Sequence, residues 1–269
     1  MDLITVDKEK CLKCGICVDI CPACILNMGE EGPECHFDRG CMSCGQCVAI
    51  CPMGALDNKY TPKEKQMPIT KPVLDPETAY HFLRSRRSIR NFKPEPPSEA
   101  ELTQLLDVAR YAPTAGNTQG LNFIVIRDKE TIKQIAEAVA NWMQDEIDAA
   151  TINKRYFLTV LRAYRERGQD IICRNTPCMI FAVARRLNVT PVSNAEEAWA
   201  YANLYAPTIG LGSCSAGFVQ ACGTANYQPL YDIVGVGSKY TICGALMVGY
   251  PKYKYKRMPD RQPLKVEFR

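Results

Sequence analysis

Ten of the fifteen cysteines of this chain lie within its first 51 residues, and eight of the ten fall into two runs of identical spacing. The runs are Cys11-x2-Cys14-x2-Cys17-x3-Cys21-Pro22 and Cys41-x2-Cys44-x2-Cys47-x3-Cys51-Pro52. The residues around them repeat as well, CLKCGICVDICP against CMSCGQCVAICP, so the segment is an internal repeat with a shift of thirty residues. An odd cysteine total, in a chain whose start MDLITVDKEKC shows no basic stretch followed by an apolar core, argues against a disulfide framework. Metal chemistry is the better reading, and a cytoplasmic location is expected.

The two runs resemble the double-cluster domain of the bacterial ferredoxins. There, three thiolates two residues apart wrap one corner of an iron–sulfur cube, and the fourth, followed by proline, ligates the cube of the other run. The resemblance implies one [4Fe–4S] cluster on Cys11, Cys14, Cys17 and Cys51, and a second on Cys41, Cys44, Cys47 and Cys21. Zinc also takes C-x2-C pairs, but usually as two separated pairs with no need for Cys-Pro in both repeats. Gly15 and Gly45 follow the second cysteine of each run, where a side chain would crowd the cube. Cys24 and Cys35 have no place in the eight-ligand scheme and are expected to be small buried hydrophobes. His36, beside Cys35, has no further ligand in register and reads as a surface or core residue.

With 269 residues, 46% of them hydrophobic, the chain can bury a real core in one or two domains, and disorder and collagen-like structure are excluded. No apolar run approaches about 18 residues, so no membrane span is expected. The net charge of +4 is too small to argue for nucleic acid. Its distribution is uneven: residues 1–60 hold nine acidic against five basic residues, residues 61–269 twenty against twenty-eight.

The cluster domain is expected to occupy residues 1–57. After it come Pro62, Pro68, Pro72 and Pro76, mixed with Lys59, Lys63, Lys65 and Lys71, which predicts an extended connector over 58–76. The remainder, 77–269, alternates helix and strand patterns. Ser98-Glu99-Ala100-Glu101 predicts a capping box, and Leu102, Leu105, Leu106 and Ala109 follow at helical spacing. NFIVI (122–126), CMIFAVA (178–184) and TICGALMVGY (241–250) read as buried strands. Amphipathic stretches cover about 129–148, 152–167 and 195–207. The fold class is α+β: a small ferredoxin-like domain followed by a domain of strands packed with helices. No G-x-x-x-x-G-K occurs, and the glycine-rich Gly210–Gly217 lacks the G-x-G-x-x-G spacing, so neither a P-loop nor a Rossmann site is supported.

Four stretches of this second domain bear on function together. Arg84-Ser85-Arg86-Arg87-Ser88-Ile89-Arg90 suits a phosphate if its guanidinium groups converge, since they bind it in bidentate fashion and Ser88 adds a hydroxyl. Ala112-Pro113-Thr114-Ala115-Gly116-Asn117-Thr118-Gln119 is by itself an ordinary turn. Small residues in Gly210–Gly217 allow backbone N–H groups to reach a flat ring. The tail from Gly249 through Lys256-Arg257-Met258-Pro259-Asp260-Arg261 is basic.

In this order the four resemble the FMN-dependent nitroreductase family over about residues 77–262, and the whole chain resembles a ferredoxin-fused nitroreductase. The resemblance implies a nitroreductase-type helix and sheet domain, with the FMN phosphate and ribityl chain gripped by Arg86, Arg87, Ser88 and Arg90. It implies that Pro113, Thr114, Ala115 and Asn117 reach FMN from the partner subunit of a homodimer, with FMN at the interface. Backbone donors at Ser215, Ala216 and Gly217 would face the ring near N5 and O4, and Arg257 and Arg261 would return to the phosphate. Family members often read Q-P-W after the Asn loop; here Gln119-Gly120-Leu121 changes the partner-side wall. Cys173, Cys178, Cys222 and Cys243 are expected in the core, Cys214 in packing, and Trp142 and Trp199 in core or interface.

The implied function is a cytoplasmic reductase. Single electrons from an external donor such as ferredoxin pass through two [4Fe–4S] clusters to FMN, which reduces a nitro group, quinone or activated alkene. No side chain need act as acid or base, so no catalytic residue is named. Two alternatives stand beside it: an NAD(P)H-fed flavoenzyme with the clusters as outlet, and a carrier or redox-sensing module that reduces no organic substrate.

Overall fold

The thirty-residue repeat of the sequence is also a repeat of the backbone. In the computed structural model, which describes residues 2–70, 74–149 and 154–269, a first unit comprises Met1–Leu74, with Gly116–Thr118 grouped into it. Strand β1 (Ile4–Val6) pairs antiparallel with β4 (Leu56–Asn58), and β2 (Leu26–Gly29) with β3 (Gly32–Cys35). The one-turn helices α1 (Ile16–Asp19) and α2 (Gln46–Ala49) start after Gly15 and Gly45, whose φ angles are 80° and 71°. Glycine takes that left-handed conformation without a Cβ penalty. Conformation therefore accounts for Gly15 within the chain itself, because an added Cβ there would meet no protein atom within 4 Å.

Other matching positions share the same handedness: Lys13 (51°) with Ser43 (52°), and Cys24 (49°) with Gly54 (56°). Cys24 thus occupies a place where the second repeat has glycine, in the turn after Pro22, and its side chain is exposed rather than buried as expected. Cys35 is half-buried and His36 exposed.

Part of the expected connector belongs to this unit. Asn58 is the last residue of β4, and Asp57 Oδ1 accepts the Lys63 N–H at 2.8 Å. Lys63 Nζ donates to the Gly54 carbonyl and Gln66 Nε2 to the Thr61 carbonyl, both at 2.8 Å, so the chain is folded back as far as Gln66. Pro76, also expected in the connector, instead opens helix α3 (Pro76–Ser85) at its first position, where its missing N–H costs nothing. The Asp75 carboxylate caps that helix by accepting the Thr78 N–H at 3.0 Å. Lys71 and Pro72 lie outside the described residues.

The second unit comprises Asp75–Ala115 and Gln119–Arg269. Its sheet is antiparallel throughout, in the order β5 (Leu121–Ile126), β6 (Cys178–Arg185), β8 (Tyr240–Gly249), β7 (Gly212–Ser215). Helices α4 (Glu99–Ala109) and α7 (Pro191–Tyr205) supply one core, in which Leu105 and Trp199 meet Cys178, Ile180 and Ala182. Helices α5 (Lys129–Asp148), α8 (Gly217–Thr224) and α9 (Gln228–Val234), with α6 (Lys154–Leu161), supply the other, in which Ile135, Val139 and Met143 meet Met179, Phe181 and Val183. Burial on both faces is why β6 and β8 read as unbroken apolar runs.

A bulge re-phases β8. Ala182 pairs with Gly244 but Val183 with Ile242, so Cys243 is the extra residue, and Ile242 and Ala245 reach the same core although three positions apart. A Cβ on Gly244 would stand 2.4 Å from Trp199 Nε1, so the indole requires glycine there. The expected capping box closes α4: Ser98 Oγ accepts the Glu101 N–H at 3.2 Å, and the Glu101 carboxylate accepts the Ser98 N–H at 2.8 Å. One strand departs from expectation, because β5 is an edge strand with no fully buried residue. The stretch expected over 152–167 is helix α6 continued by a π-helical turn at Arg162–Glu166, and residues 152–153 lie outside the described residues.

Candidate functional site

The eight cysteines of the two runs do not gather run by run. One cavity of the first unit is lined by Cys11, Cys14 and Cys17 together with Cys51, the other by Cys41, Cys44 and Cys47 together with Cys21. The first is walled by Val6, Ile16 and Leu56 and the second by Ile4, Ile25 and Leu26. Among the described residues no three His, Cys, Asp or Glu side chains converge on a single ion position. The thiols surround a volume instead of a point, which suits a cube better than a lone zinc ion.

Burial pushes the Cys17 thiol up and the Cys47 thiol to about 11, neighbouring thiols adding to the effect. Such groups stay protonated at neutral pH until a bound metal strips the proton. At Cys51 burial also works upward, but the N–H groups of Ala55, Leu56, Met53 and Gly54 outweigh it and leave the thiol lowered. The donor set therefore fits a pair of iron–sulfur clusters.

In the second unit the arginine run leaves α3 and lies along β7. Arg87 is committed to the helix end: its Nη1 and Nη2 donate to the carbonyls of Arg86 (3.0 Å) and Arg84 (2.9 Å). Arg86 Nη1 reaches Ser88 Oγ at 3.4 Å. Ser88 then bridges Ser213 of β7 in parallel, the Ile89 N–H donating to the Ser213 carbonyl at 3.0 Å. Farther on, Phe92 bridges Pro251, and Lys252 N–H donates to the Asn91 carbonyl at 3.0 Å. Three of the four stretches are thus brought side by side.

Two clefts flank this arrangement. One, of about 350 Å³ accessible to water, lies between Ile89–Asn91 and Tyr253–Lys256, with Arg90, Lys254 and Lys256 making it cationic. The other, of about 740 Å³, is lined by Glu196, Trp199, Asn203, Ser215, Gly217 and Gln220. At its floor the first N–H groups of α8 have no helical partner. Ala216 is not among the free donors expected there, because its N–H is used at 2.8 Å on the Ala245 carbonyl across the sheet. Gly217, the first residue of α8, lines the cleft. The cationic cleft suits an anionic group such as a phosphate.

The turn after α4 is pinned from α7: Asn194, 5% exposed, accepts the Ala115 N–H at 3.0 Å. Thr114 Oγ1 accepts the Gln119 N–H at 3.1 Å, Pro113 is exposed, and Asn117 is grouped with the first unit. Arg257 and Arg261 are exposed and do not line the cationic cleft, whereas the neighbouring Asp260 pairs with Arg84 at 3.3 Å. Sequence reasoning placed Lys256 in the basic tail without assigning it a role and missed Lys254, although their alternation with Tyr253 and Tyr255 is a period-two signal, and it missed the buried Asn194 and the cleft-lining Asn203. Cys173, Cys178, Cys214, Cys222 and Cys243 are buried as expected, and burial pushes Cys178, Cys222 and Cys243 up to about 12, far from reactivity.

Residues 83–250 match the model of the nitroreductase family. The chain belongs to that family. Ahead of its nitroreductase region, residues 10–56 match a 4Fe-4S dicluster domain. The nitroreductase is 25% identical to the FMN reductase (NAD(P)H) of Bacillus subtilis over 179 residues, 66% of this chain and 67% of that one. It is 40% identical over 72 residues to the NADH dehydrogenase of Thermus thermophilus, 27% of this chain and 34% of that one. A relative from Archaeoglobus fulgidus is 39% identical over 62 residues, 23% of this chain and 36% of its own. The chain spans about a third of the length of these last two curated relatives. The crystal structure of a nitroreductase with bound FMN from Desulfitobacterium hafniense shares the fold, with a TM-score of 0.56 at 20% identity over 72% of this chain and all of that one. Among the described residues no helix of the nitroreductase is long and apolar enough to cross a membrane.

Proposed function

We propose that this nitroreductase is an FMN-dependent oxidoreductase of the cytoplasm, fed by an external one-electron donor such as ferredoxin through two [4Fe–4S] clusters, and that it reduces a nitro, quinone or activated-alkene acceptor. The observation that carries the reading is the crossed lining of the two thiol cavities, in a chain that also holds the nitroreductase sheet. Cys11, Cys14, Cys17 and Cys51 hold one cluster; Cys41, Cys44, Cys47 and Cys21 hold the other. Bound FMN supplies the hydride at N5, and the clusters supply single electrons.

The chain's own residues bind and orient. Arg86, Ser88 and Arg90, with Lys254 and Lys256, supply the positive charge and hydroxyl for the flavin phosphate, while Arg87 keeps the end of α3 in place for them. The Gly217 N–H group, beside Ser215, faces the polar edge of the ring. Arg257 and Arg261 extend the cationic tail. In the homodimer Pro113, Thr114, Ala115 and Asn117 serve the partner's flavin. The second reading, a nicotinamide donor, draws support from the names of the Bacillus subtilis and Thermus thermophilus relatives.

Anaerobic stopped-flow separates the two. Reduced ferredoxin should bleach the flavin of the whole protein quickly and that of a shortened chain, residues 75–269, far more slowly. Equal rates for both, with fast bleaching by NADH or NADPH, would put the nicotinamide reading ahead. Arg86→Ala should weaken FMN binding by about 2–4 kcal/mol, as for truncating one partner of a charge pair, and leave the cluster absorption unchanged.

A further inference from the structure

The two thiol cavities differ at one position of the repeat. Met28 in β2 and Asn58 in β4 stand thirty residues apart at matching places, and each lines its own cavity. Met28 is 39% exposed, Asn58 only 4%. The buried amide has a fixed orientation, because its Oδ1 accepts the N–H groups of Tyr60 (2.9 Å) and Thr61 (3.3 Å). Its NH2 end therefore points away from them, 3.9 Å from Cys41 Sγ. Among the described residues Asn58 is the one side chain that donates to any of the eight sulfurs. Main-chain N–H groups also serve the sulfurs, among them Ser43 to Cys41 (3.4 Å) and Ala55 to Cys51 (3.3 Å). Buried polar groups are matched to partners, and the partner of this NH2 is a sulfur.

We propose that Asn58 tunes the cluster held by Cys21, Cys41, Cys44 and Cys47, raising its reduction potential above what the four thiolates alone would set. The inference rests on the cluster reading given above. One electron enters from a low-potential one-electron donor; no bond forms or breaks, no proton moves, and the cluster with its thiolates gains one negative charge. A donor hydrogen aimed at Cys41 Sγ interacts more strongly with that more negative state and so favours reduction. The first cavity has no side-chain counterpart: Met28 offers no N–H, and the donors there are main-chain groups at the Cys51 sulfur. Asn58 is a positioning residue acting through Cys41, and a potential is what it should move.

The test is an EPR-monitored redox titration of the intact holoprotein, with iron and acid-labile sulfide measured first. Asn58→Asp keeps the acceptor for Tyr60 and Thr61 but turns a carboxylate oxygen toward the sulfur, whereas Asn58→Leu removes both polar ends at similar size. Cys44→Ser, which alters the signal of that cavity's cluster alone, assigns the two midpoints. In Asn58→Asp the reduced-to-oxidised ratio of this cluster at fixed potential should fall about tenfold, or 59 mV for a one-electron couple. Asn58→Leu should shift it less in the same direction, and the other cluster should keep its midpoint in both. If one variant fails to load iron, the other decides. Unmoved midpoints in an iron-replete variant overturn the inference, and so does a shift confined to the other cluster. A wild-type protein lacking iron and sulfide would instead overturn the cluster reading itself.

Discussion

Among its described residues the first unit buries six large aliphatic side chains, Leu3, Ile4, Ile25, Leu26, Val48 and Leu56, whereas the second packs a core against each face of its sheet, with Met179, Ile180, Phe181 and Leu246 wholly enclosed. Around the small core Leu12, Ile16, Ile20, Ile50 and Met53 are 40–66% exposed. A unit of that size buries too little apolar surface to offset the entropy of ordering its chain. Its remaining source of stability is the pair of thiol cavities, where metal binding is itself folding free energy. The second unit needs no such supplement. One chain thus joins a part that folds around its contents to a part that folds on its own.

The largest expected effect breaks the two apart. Stripping iron from the protein with a chelator should unfold the first unit while the sheet survives. Hydrogen exchange would show it: amides of β1 to β4 should lose protection, and those of β6 and β8 should keep it. Protection of β1 to β4 without iron would mean that the small core suffices. Next in size, Phe181→Ala should cost the second unit about 3–5 kcal/mol in denaturant unfolding, the usual range for emptying a buried aromatic site. Visible absorption of the clusters should be unaffected at low denaturant.

The smallest effect lies at the edge of the second unit, where Ser98→Ala should cost about 1 kcal/mol. Hydrogen bonds from Ser98, then from Tyr250, hold the Glu101 carboxyl below its ordinary value. A lowered carboxylate contributes stability above its unfolded pKa and loses it as pH falls through the folded one. Glu101→Gln should therefore flatten the acid limb of the stability curve, and an unchanged limb would remove Glu101 from the account.

What could be read from the chain alone follows the same division. Ligand spacing is local, so the cysteine runs declared their chemistry, and the caps at Ser98 and the apolar runs of β6 and β8 are local too. Helix α8 was not foreseen, since GFVQACGT carries two glycines. It exists because Gly223 lies flat on β8, where a Cβ would come 2.6 Å from Ile242. The donor set at the second site was misjudged at Ala216 because its partner, Ala245, belongs to a distant strand. Reading Pro76 as connector missed that proline also opens helices, and Asn58 was hidden behind a supposed boundary. Long-range pairing, such as Ser88 with Ser213, leaves no mark on either segment by itself.

The exchange of Cys21 and Cys51 between the cavities has a consequence for the duplicated segment. Deleting either run would empty one cavity of three thiols and rob the other of its fourth. Neither copy is therefore a backup for the other. The two copies complete each other, and each cavity is whole only while both runs are present.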